Sequence, residues 1–496
     1  MDLLQGFANV FTLTNVSSCF IGCLLGTLVG VLPGLGPSST IAILLPILAS
    51  SDPTGSIIIL SGLYYGAMYG GSTTSILVNI PGEAASIVTA LDGFQMTRQG
   101  RGGQALWIAA VGSFIAGTLG SVGVSLIGPG IAKYALRFGP PEYFGLVLFS
   151  ITMLVTVSGA SVMKGLLSGI FGMVIATFGI DPMTGDARFT FGSVAFMRGI
   201  ELVPAIVGLF GISEMLFAAE EGTKQIYKGK LGKMRPPWPD LKRGLSASVR
   251  GSVTGFFPGM IPGMVPALTS FISYDLEKRF SKHPEKFGKG AIEGVAAPEA
   301  ANNSTAMAGF IPLITLGIPT GPALAIILAA LLMYGVTPGP ALFVQNKPLV
   351  WTVIGSMYLG NLLLLVLNLP LVGIWARIST IPYKILGPIV LGVCVVGAYS
   401  PRNTLFDVWI ALAFGILGFI MKKRSWPLAP LSLGLVLGDM FETSLRQSLS
   451  MSGGSPLIFL TRPVAAVLII CTVLSVFFMV RYLRRVPKVV LKEEEL

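Results

Sequence analysis

The sequence predicts an all-α polytopic membrane protein of two inverted-topology repeats, with roughly 10–12 membrane segments, some broken by proline and glycine. Three observations predict it. The 496 residues are 53% hydrophobic and only 11% charged, whereas soluble domains carry about 25% charged residues. A broken apolar stretch occurs twice, 225 positions apart. The two copies are flanked by opposite charge patterns.

The first copy lies within residues 19–48, around Gly30-Val31-Leu32-Pro33-Gly34-Leu35-Gly36-Pro37-Ser38-Ser39-Thr40. Pro33 and Pro37 lack a backbone donor, and Gly34 and Gly36 favour non-helical backbone, so the helix must stop in mid-segment. Gly26, Gly30, Pro33, Gly34 and Pro37 fall without a gap on Gly251, Gly255, Pro258, Gly259 and Pro262. Broken backbone at membrane depth has to be buried in protein or line a wet cavity. A pair of interrupted apolar segments in corresponding halves is the sequence sign of a transporter site. Re-entrant and fully crossing forms of 19–48 and 251–274 both fit.

Taken in order, residues 1–18 and the loop 49–56 carry no base and are expected outside. Residues 57–79 are long enough to cross, and Ala84 to Gln95 form a half-helix after a second break at Asn79-Ile80-Pro81-Gly82-Glu83. Segments 104–127, 143–158, 162–178 and 203–219 follow, with 128–142 and 179–202 as outside loops. The basic connection 224–250 divides a first repeat, 1–223, from a second, 251–496. The second broken segment has basic loops on both sides. Residues 291–335, 349–372, 385–399, 405–421, 427–438 and 464–480 complete the half, which ends in a short basic tail. Of the 34 Lys and Arg residues, 21 lie in 224–250, 278–289, 422–424 and 481–492. That clustering in short connections is the positive-inside pattern, and it accounts for the net charge of +11 without nucleic acid. It puts the N-terminus outside and the C-terminus in the cytoplasm.

Each half adds a cluster of small polar residues before a Pro/Gly break. Ser72, Thr73 and Thr74 lead to Asn79, and Asn302, Asn303, Ser304 and Thr305 lead to Pro319 and Thr320. Hydroxyls and amides supply donors and acceptors without net charge. Half-helix N-termini add backbone N–H groups and partial positive charge suited to a carboxylate or phosphate, and unwound carbonyls suit Na⁺. The candidate binding set is therefore Pro33, Gly34, Gly36, Ser38, Ser39, Thr40, Ser72, Thr73, Thr74, Asn79, Pro258, Gly259, Pro262, Gly263, Asn302, Asn303, Ser304, Thr305, Pro319 and Thr320. The ordinary alternative for any one hydroxyl is a bond to its own helix or a neighbour. Acids inside a membrane are costly and usually functional. Glu83 and Glu299 are the candidates for coupling a cation, and Asp92 reads as interfacial.

Several classes are excluded or disfavoured. The first base is Arg98, so the basic start of a secretory signal is missing. Cys19, Cys23, Cys394 and Cys471 sit in apolar runs and read as small core residues. The single histidine, His283, lies in a charged loop, so zinc sites and Ser-His-Asp chemistry have almost no raw material and no cofactor is expected. A channel or passive pore for small anions is the alternative to a transporter. It would need rings of selecting groups around an axis.

Residues 30–46 (GVLPGLGPSSTIAILLP), 64–93 (YYGAMYGGSTTSILVNIPGEAASIVTALDG) and 290–343 resemble the large permease subunit of the tripartite tricarboxylate transporters, the TctA family. The resemblance implies a bacterial inner-membrane, secondary-active uptake permease for citrate or related carboxylates, coupled to Na⁺ or H⁺. It also implies two partners, a small membrane subunit of about four helices and a periplasmic substrate-binding protein.

Overall fold

In hydrocarbon every backbone N–H and C=O has to be satisfied within its own segment, so apolar runs fold as helices. The computed structural model follows that rule. It describes residues 2–32, 36–79, 81–157, 161–221, 232–371, 373–375, 383–399 and 402–483. The first half runs α1 (Asp2–Val10), α2 (Leu13–Val31), α3 (Pro37–Leu48), α4 (Pro53–Val78), α5 (Ser86–Arg98), α6 (Gly102–Ala135), α7 (Pro140–Val157) and α8 (Val162–Ala176). A two-residue hairpin, Gly179–Ile180 against Ala187–Arg188, and the short α9 (Val194–Met197) lead to α10 (Leu202–Ile206). A π-turn over Val207–Ile212 joins α10 to α11 (Ser213–Glu221).

The second half begins with α12 (Trp238–Gly259) and α13 (Pro266–Phe280). There follow α14 (Glu293–Ala308), α15 (Phe310–Leu316), α16 (Pro322–Met333), α17 (Leu342–Gln345) and α18 (Lys347–Asn368). The last are α19 (Tyr383–Tyr399), α20 (Leu405–Lys423), α21 (Leu428–Met451), α22 (Ile458–Thr461) and α23 (Pro463–Leu483). Among the described residues five helices, α2, α6, α18, α20 and α21, are long and apolar enough to cross a membrane, and shorter apolar helices accompany them.

Several boundaries differ from expectation. Residues 2–10 and 13–18, expected as an outside flank, are helical, with Thr12 capping α2 through the Asn15 amide. Helix α6 runs on through Pro129 to Ala135, into the expected loop 128–142. Residues 238–250 of the expected basic connection form the first turns of α12, where Arg243 pairs with Asp240 and Arg250 with Glu277. A charged, amphipathic helix reads as a loop when only its charge is weighed. Helix α21 has 24 residues, well beyond the expected 427–438. Cys471 is exposed, unlike Cys19, Cys23 and Cys394.

The breaks fall where proline and glycine put them. Helix α2 stops at Val31 and α3 starts with Pro37 at its first position. Helix α12 stops at Gly259 and α13 starts with Pro266. Helix α4 ends on Asn79 at φ 57°, just before Ile80-Pro81, and α15 ends on Gly317 at φ 71°, just before Ile318-Pro319. Both left-handed caps end a helix ahead of a proline that could not continue it.

Close backbone contact holds each broken helix to a central one. Gly22, Gly26 and Gly30 of α2 lie against Ile59, Leu63 and Ala67 of α4. Gly251, Gly255 and Gly259 of α12 lie against Ala297, Ala301 and Thr305 of α14 in the same four-residue rhythm. Small residues let membrane helices approach this closely. The two central helices are enclosed on every side: all sixteen residues of α14 are buried, as are Gly55 to Leu77 of α4 apart from Ile59. A Cβ added at Gly255 would fall inside van der Waals contact with the Ala301 carbonyl, whereas one at Gly130 of α6 meets nothing within 4 Å. Gly255→Ala is therefore expected to destabilise the fold by about 1–3 kcal/mol through overpacking. Gly130→Ala is expected to be neutral or to add up to about 1 kcal/mol. Thermal unfolding of the two purified variants in detergent checks the opposite signs.

Candidate functional site

The polar groups of the interior sit on α4, α5 and α14, where no lipid reaches them. The Glu299 carboxylate, wholly buried, accepts hydrogen bonds from the Ser72 hydroxyl of α4 and the Thr89 hydroxyl of α5. One turn further along α14, Asn302 Nδ2 donates to Glu83 Oε1 at 3.1 Å. The other Glu83 oxygen accepts from the Ala85 amide at 2.7 Å, which ties the acid to the start of α5. Asn303 Nδ2 donates to Ser113 Oγ of α6 at 2.7 Å and to the Glu299 carbonyl at 3.1 Å. Buried acids and amides need such partners, because an unmet buried polar group costs about 1–3 kcal/mol.

Beside this network lies a cavity of about 360 Å³. Its wall is made of helix beginnings: Pro37-Ser38 of α3, Pro266-Ala267 of α13, Pro322-Ala323 of α16 and Leu428-Ala429 of α21, with Ala84 just ahead of α5. The first N–H groups of a helix have no partner within it and carry partial positive charge. Proline at the first position, as in α3, α13 and α16, is pre-set for helix entry and removes a donor that had no helical acceptor. Among the described residues no Lys or Arg lines the cavity; its wall is mostly apolar, and helix-start amides lie beside a few polar side chains. Glu83, Ser38 and Tyr64 are its polar side chains. Tyr64 is only 4% exposed, and among the described residues its hydroxyl makes no hydrogen bond.

The sequence-predicted residues divide by position. Ser38 and Glu83 line the large cavity, with Gly36 at the cap of α3. Pro33 and Gly34 lie outside the described residues. Ser72 and Thr73 line a second, smaller cavity, and Ser72 also meets Glu299. Asn302 and Asn303 reach Glu83 and Ser113 as above. Gly263, at φ 87°, donates its amide to the Thr320 carbonyl at 3.1 Å and so joins the break before α13 to the one before α16. Pro262 and Pro319 flank that junction in sequence, and Pro258 and Gly259 close α12.

Other predicted residues turn to the backbone. Thr40 donates to the Gly36 carbonyl and Thr74 to the Gly71 carbonyl, each within its own turn. Ser304 and Thr305 donate to the Ser252 and Gly255 carbonyls of α12 and join the two helices. Asn79 is an exposed helix cap, and Ser39 is buried in α3 away from the cavity wall.

Asp92 is fully buried in the protein, and accepts from Tyr274 Oη of α13 at 2.9 Å and from the Gly290 and Ala291 amides at 2.7 and 2.8 Å. It thereby fastens α5 to the second half of the chain. Tyr64 on the cavity wall, and Thr89 and Ser113 as hydrogen-bond partners, are residues that sequence reasoning missed. Each sits in a helix where an aromatic or hydroxyl residue reads as ordinary packing, and only the fold brings them together.

The model of the tripartite tricarboxylate transporter TctA family matches residues 16–433. The chain belongs to that family. It is 44% identical over 479 residues to an uncharacterized 52.8 kDa protein in the TAR-I ttuC' 3' region of Agrobacterium vitis, covering 95% of this chain and 94% of the relative. A second Agrobacterium vitis protein, uncharacterized, from the TAR-II ttuC' 3' region, is 45% identical over 218 residues, 43% of this chain and 90% of its own length. No solved structure gives a significant match. Family membership and the apolar helices together make this a multi-pass membrane protein of a transporter family, one component of a tripartite system.

Asp92→Ala would leave a hydroxyl and two buried amides without their acceptor, and is expected to cost about 3 kcal/mol or more. Asp92→Asn keeps one acceptor oxygen and is expected to cost less. The order of thermal midpoints, wild type above Asn above Ala, is the check.

Proposed function

We propose that this chain is the large permease subunit of a three-part system for secondary-active, cation-coupled uptake of organic carboxylates, citrate or related di- and tricarboxylates. It works across the bacterial inner membrane, with the N-terminus periplasmic and the C-terminus cytoplasmic. A small membrane subunit of about four helices and a periplasmic substrate-binding protein are its partners. The observation that carries the reading is the large cavity, ringed by helix beginnings and free of basic side chains. Converging N-termini favour a carboxylate electrostatically. Among the described residues no basic side chain on the wall would hold it too tightly to release, and the Glu83 carboxyl there opposes tight retention.

The broken helices supply the moving parts. Paired interruptions, matching glycine stripes and matching left-handed caps support two repeats, and the reversed charge flanks support their inverted topology. One bundle then moves against the other around the cavity, exposing it alternately to the two sides. Glu83 lines the cavity and Glu299 stands one turn from Asn302, the partner of Glu83, which supports a role for both acids in linking cation and substrate occupancy. Na⁺ and H⁺ are the candidate coupling ions.

Radiolabelled citrate uptake into proteoliposomes holding the three components tests this. Accumulation driven by an inward Na⁺ or H⁺ gradient is expected. Equilibration without accumulation under both gradients would refute coupling, and absence of citrate movement would refute that substrate. Ser38→Ala and Tyr64→Phe each remove one hydroxyl from the cavity wall and are expected to raise the apparent KM about tenfold, the scale of a hydrogen bond to a charged group.

A further inference from the structure

We propose that the smaller cavity, between α4, α6 and α18, is a binding site for a dehydrated monovalent cation, Na⁺ by size and ligand type. Its volume is about 20 Å³, room for one water-sized occupant. Its polar lining is Tyr69, Ser72 and Thr73 of α4, Ser113 of α6 and Asn368 at the end of α18. All five offer oxygen, the ligand type that hard cations take.

The directions of the protons distinguish this lining from an ordinary polar void. Asn361 Nδ2 donates to the Phe114 carbonyl at 2.8 Å and to Thr118 Oγ1 at 2.9 Å, which fixes Oδ1 as the acceptor of the Tyr69 hydroxyl at 2.9 Å. Tyr69 thus directs its proton away and keeps its oxygen lone pairs. Ser72 directs its proton to the Glu299 carboxylate. Asn368 Nδ2 donates to Thr27 Oγ1 at 3.2 Å and to the Leu364 carbonyl at 2.9 Å, which leaves Oδ1 as a buried oxygen with no donor among the described residues. Thr73 is 5% exposed, and among the described residues its hydroxyl has no hydrogen-bond partner. The cavity is lined by acceptors in excess of donors, the condition a cation needs and a set of mutually bonded hydroxyls would not meet.

Charge agrees with the ligand set. Among the described residues no Lys or Arg lines the cavity, and the Glu299 carboxylate stands one hydrogen bond behind Ser72. No carboxylate lines it directly, so the charge count suits one positive charge better than two. From Glu299 the path runs one turn along α14 to Asn302 and across to Glu83 on the wall of the large cavity. Binding rests on this geometry alone; its use to drive uptake rests on the transport reading above.

The test is ²²Na⁺ binding to the purified full-length chain in detergent, without carboxylate or partner subunits, paired with thermal unfolding in NaCl, KCl and choline chloride at equal ionic strength. Saturable ²²Na⁺ binding and a thermal midpoint raised by Na⁺ alone are expected. Thr73→Val and Asn368→Leu are expected to weaken Na⁺ binding at least tenfold while leaving the midpoint in KCl close to wild type. Thr73→Ser, which keeps the oxygen, is expected to bind Na⁺ like wild type. No Na⁺-specific binding by wild type, the result for a cavity that holds only water, would overturn the site. Unchanged Na⁺ affinity in Thr73→Val would overturn it equally. Should Thr73→Val fail to fold, Ser113→Ala under the same assay decides. Na⁺ binding by a chain that moves citrate but equilibrates it without accumulation under both gradients would keep this site and refute the cation-coupled reading. Na⁺-driven uptake with an unaltered Na⁺ requirement in Thr73→Val would do the reverse.

Discussion

A carboxylate sealed inside a membrane protein has to be met by donors, and Glu299 is met from two directions. Ser72 comes from α4 and Thr89 from α5, while Glu299 itself rides on α14. That one side chain therefore fixes the relation between the central helices of the two halves. The rest of the site follows from it. With Glu299 placed, Asn302 and Asn303 one turn on reach Glu83 in the turn before α5 and Ser113 of α6. The requirement also explains why α4 and α14 are enclosed on all sides. Helices carrying hydroxyls, amides and acids have no place against lipid, and the glycine stripes of α2 and α12 let the enclosing helices come close enough to seal them.

The two halves use a common layout for different chemistry. Both have a broken helix packed by glycines on a central one, and both end a later helix in a left-handed cap before Ile-Pro. The first half contributes Ser72, Thr73 and Tyr69, and the second contributes Glu299, Asn302 and Asn303. Hydroxyls on one side and acids with amides on the other give complementary donors and acceptors when the halves meet. Asp92 does the same at a second place, with the acid on the first half and the amides on the second.

Local breaks were legible in the sequence because proline and glycine act locally. The interruptions before Pro37, Pro266, Pro81 and Pro319 stand where those residues put them. Ser72, Glu83, Glu299 and Asn302 were legible as polar residues in apolar surroundings, whose burial demands partners. The partners were not legible. Thr89, Ser113 and Asn368 lie 17, 41 and 296 positions from Ser72, and nothing in a periodic apolar helix marks one hydroxyl or amide as different from the next. Thr40, Thr74, Ser304 and Thr305 looked equivalent to Ser38 and Thr73, yet they bond backbone carbonyls. Which way a hydroxyl turns depends on what packs above it. The start of α12 was hidden for another reason: its arginines Arg243 and Arg250 are matched by Asp240 and Glu277, so a charge run that reads as a connection is largely a paired helix face.

Two cavities of opposite preference stand on either side of one acid pair. On the proposed reading the large one, walled in part by helix beginnings, takes the anion, and the small one, lined by oxygen lone pairs, takes the cation. Each would be costly to fill alone in a low-dielectric interior, because an isolated buried charge loses its hydration without compensation. Filled together across Glu299, Asn302 and Glu83, the charges offset one another over a short path of hydrogen bonds and one helical turn. On the proposed reading, a carboxylate would sit more favourably when the cation site is occupied, and by linkage the cation would sit more favourably when the carboxylate is bound. Coupling of this kind needs no long-range signal through the fold. It needs only that α4, α5 and α14 stay in register, which the donors around Glu299 enforce.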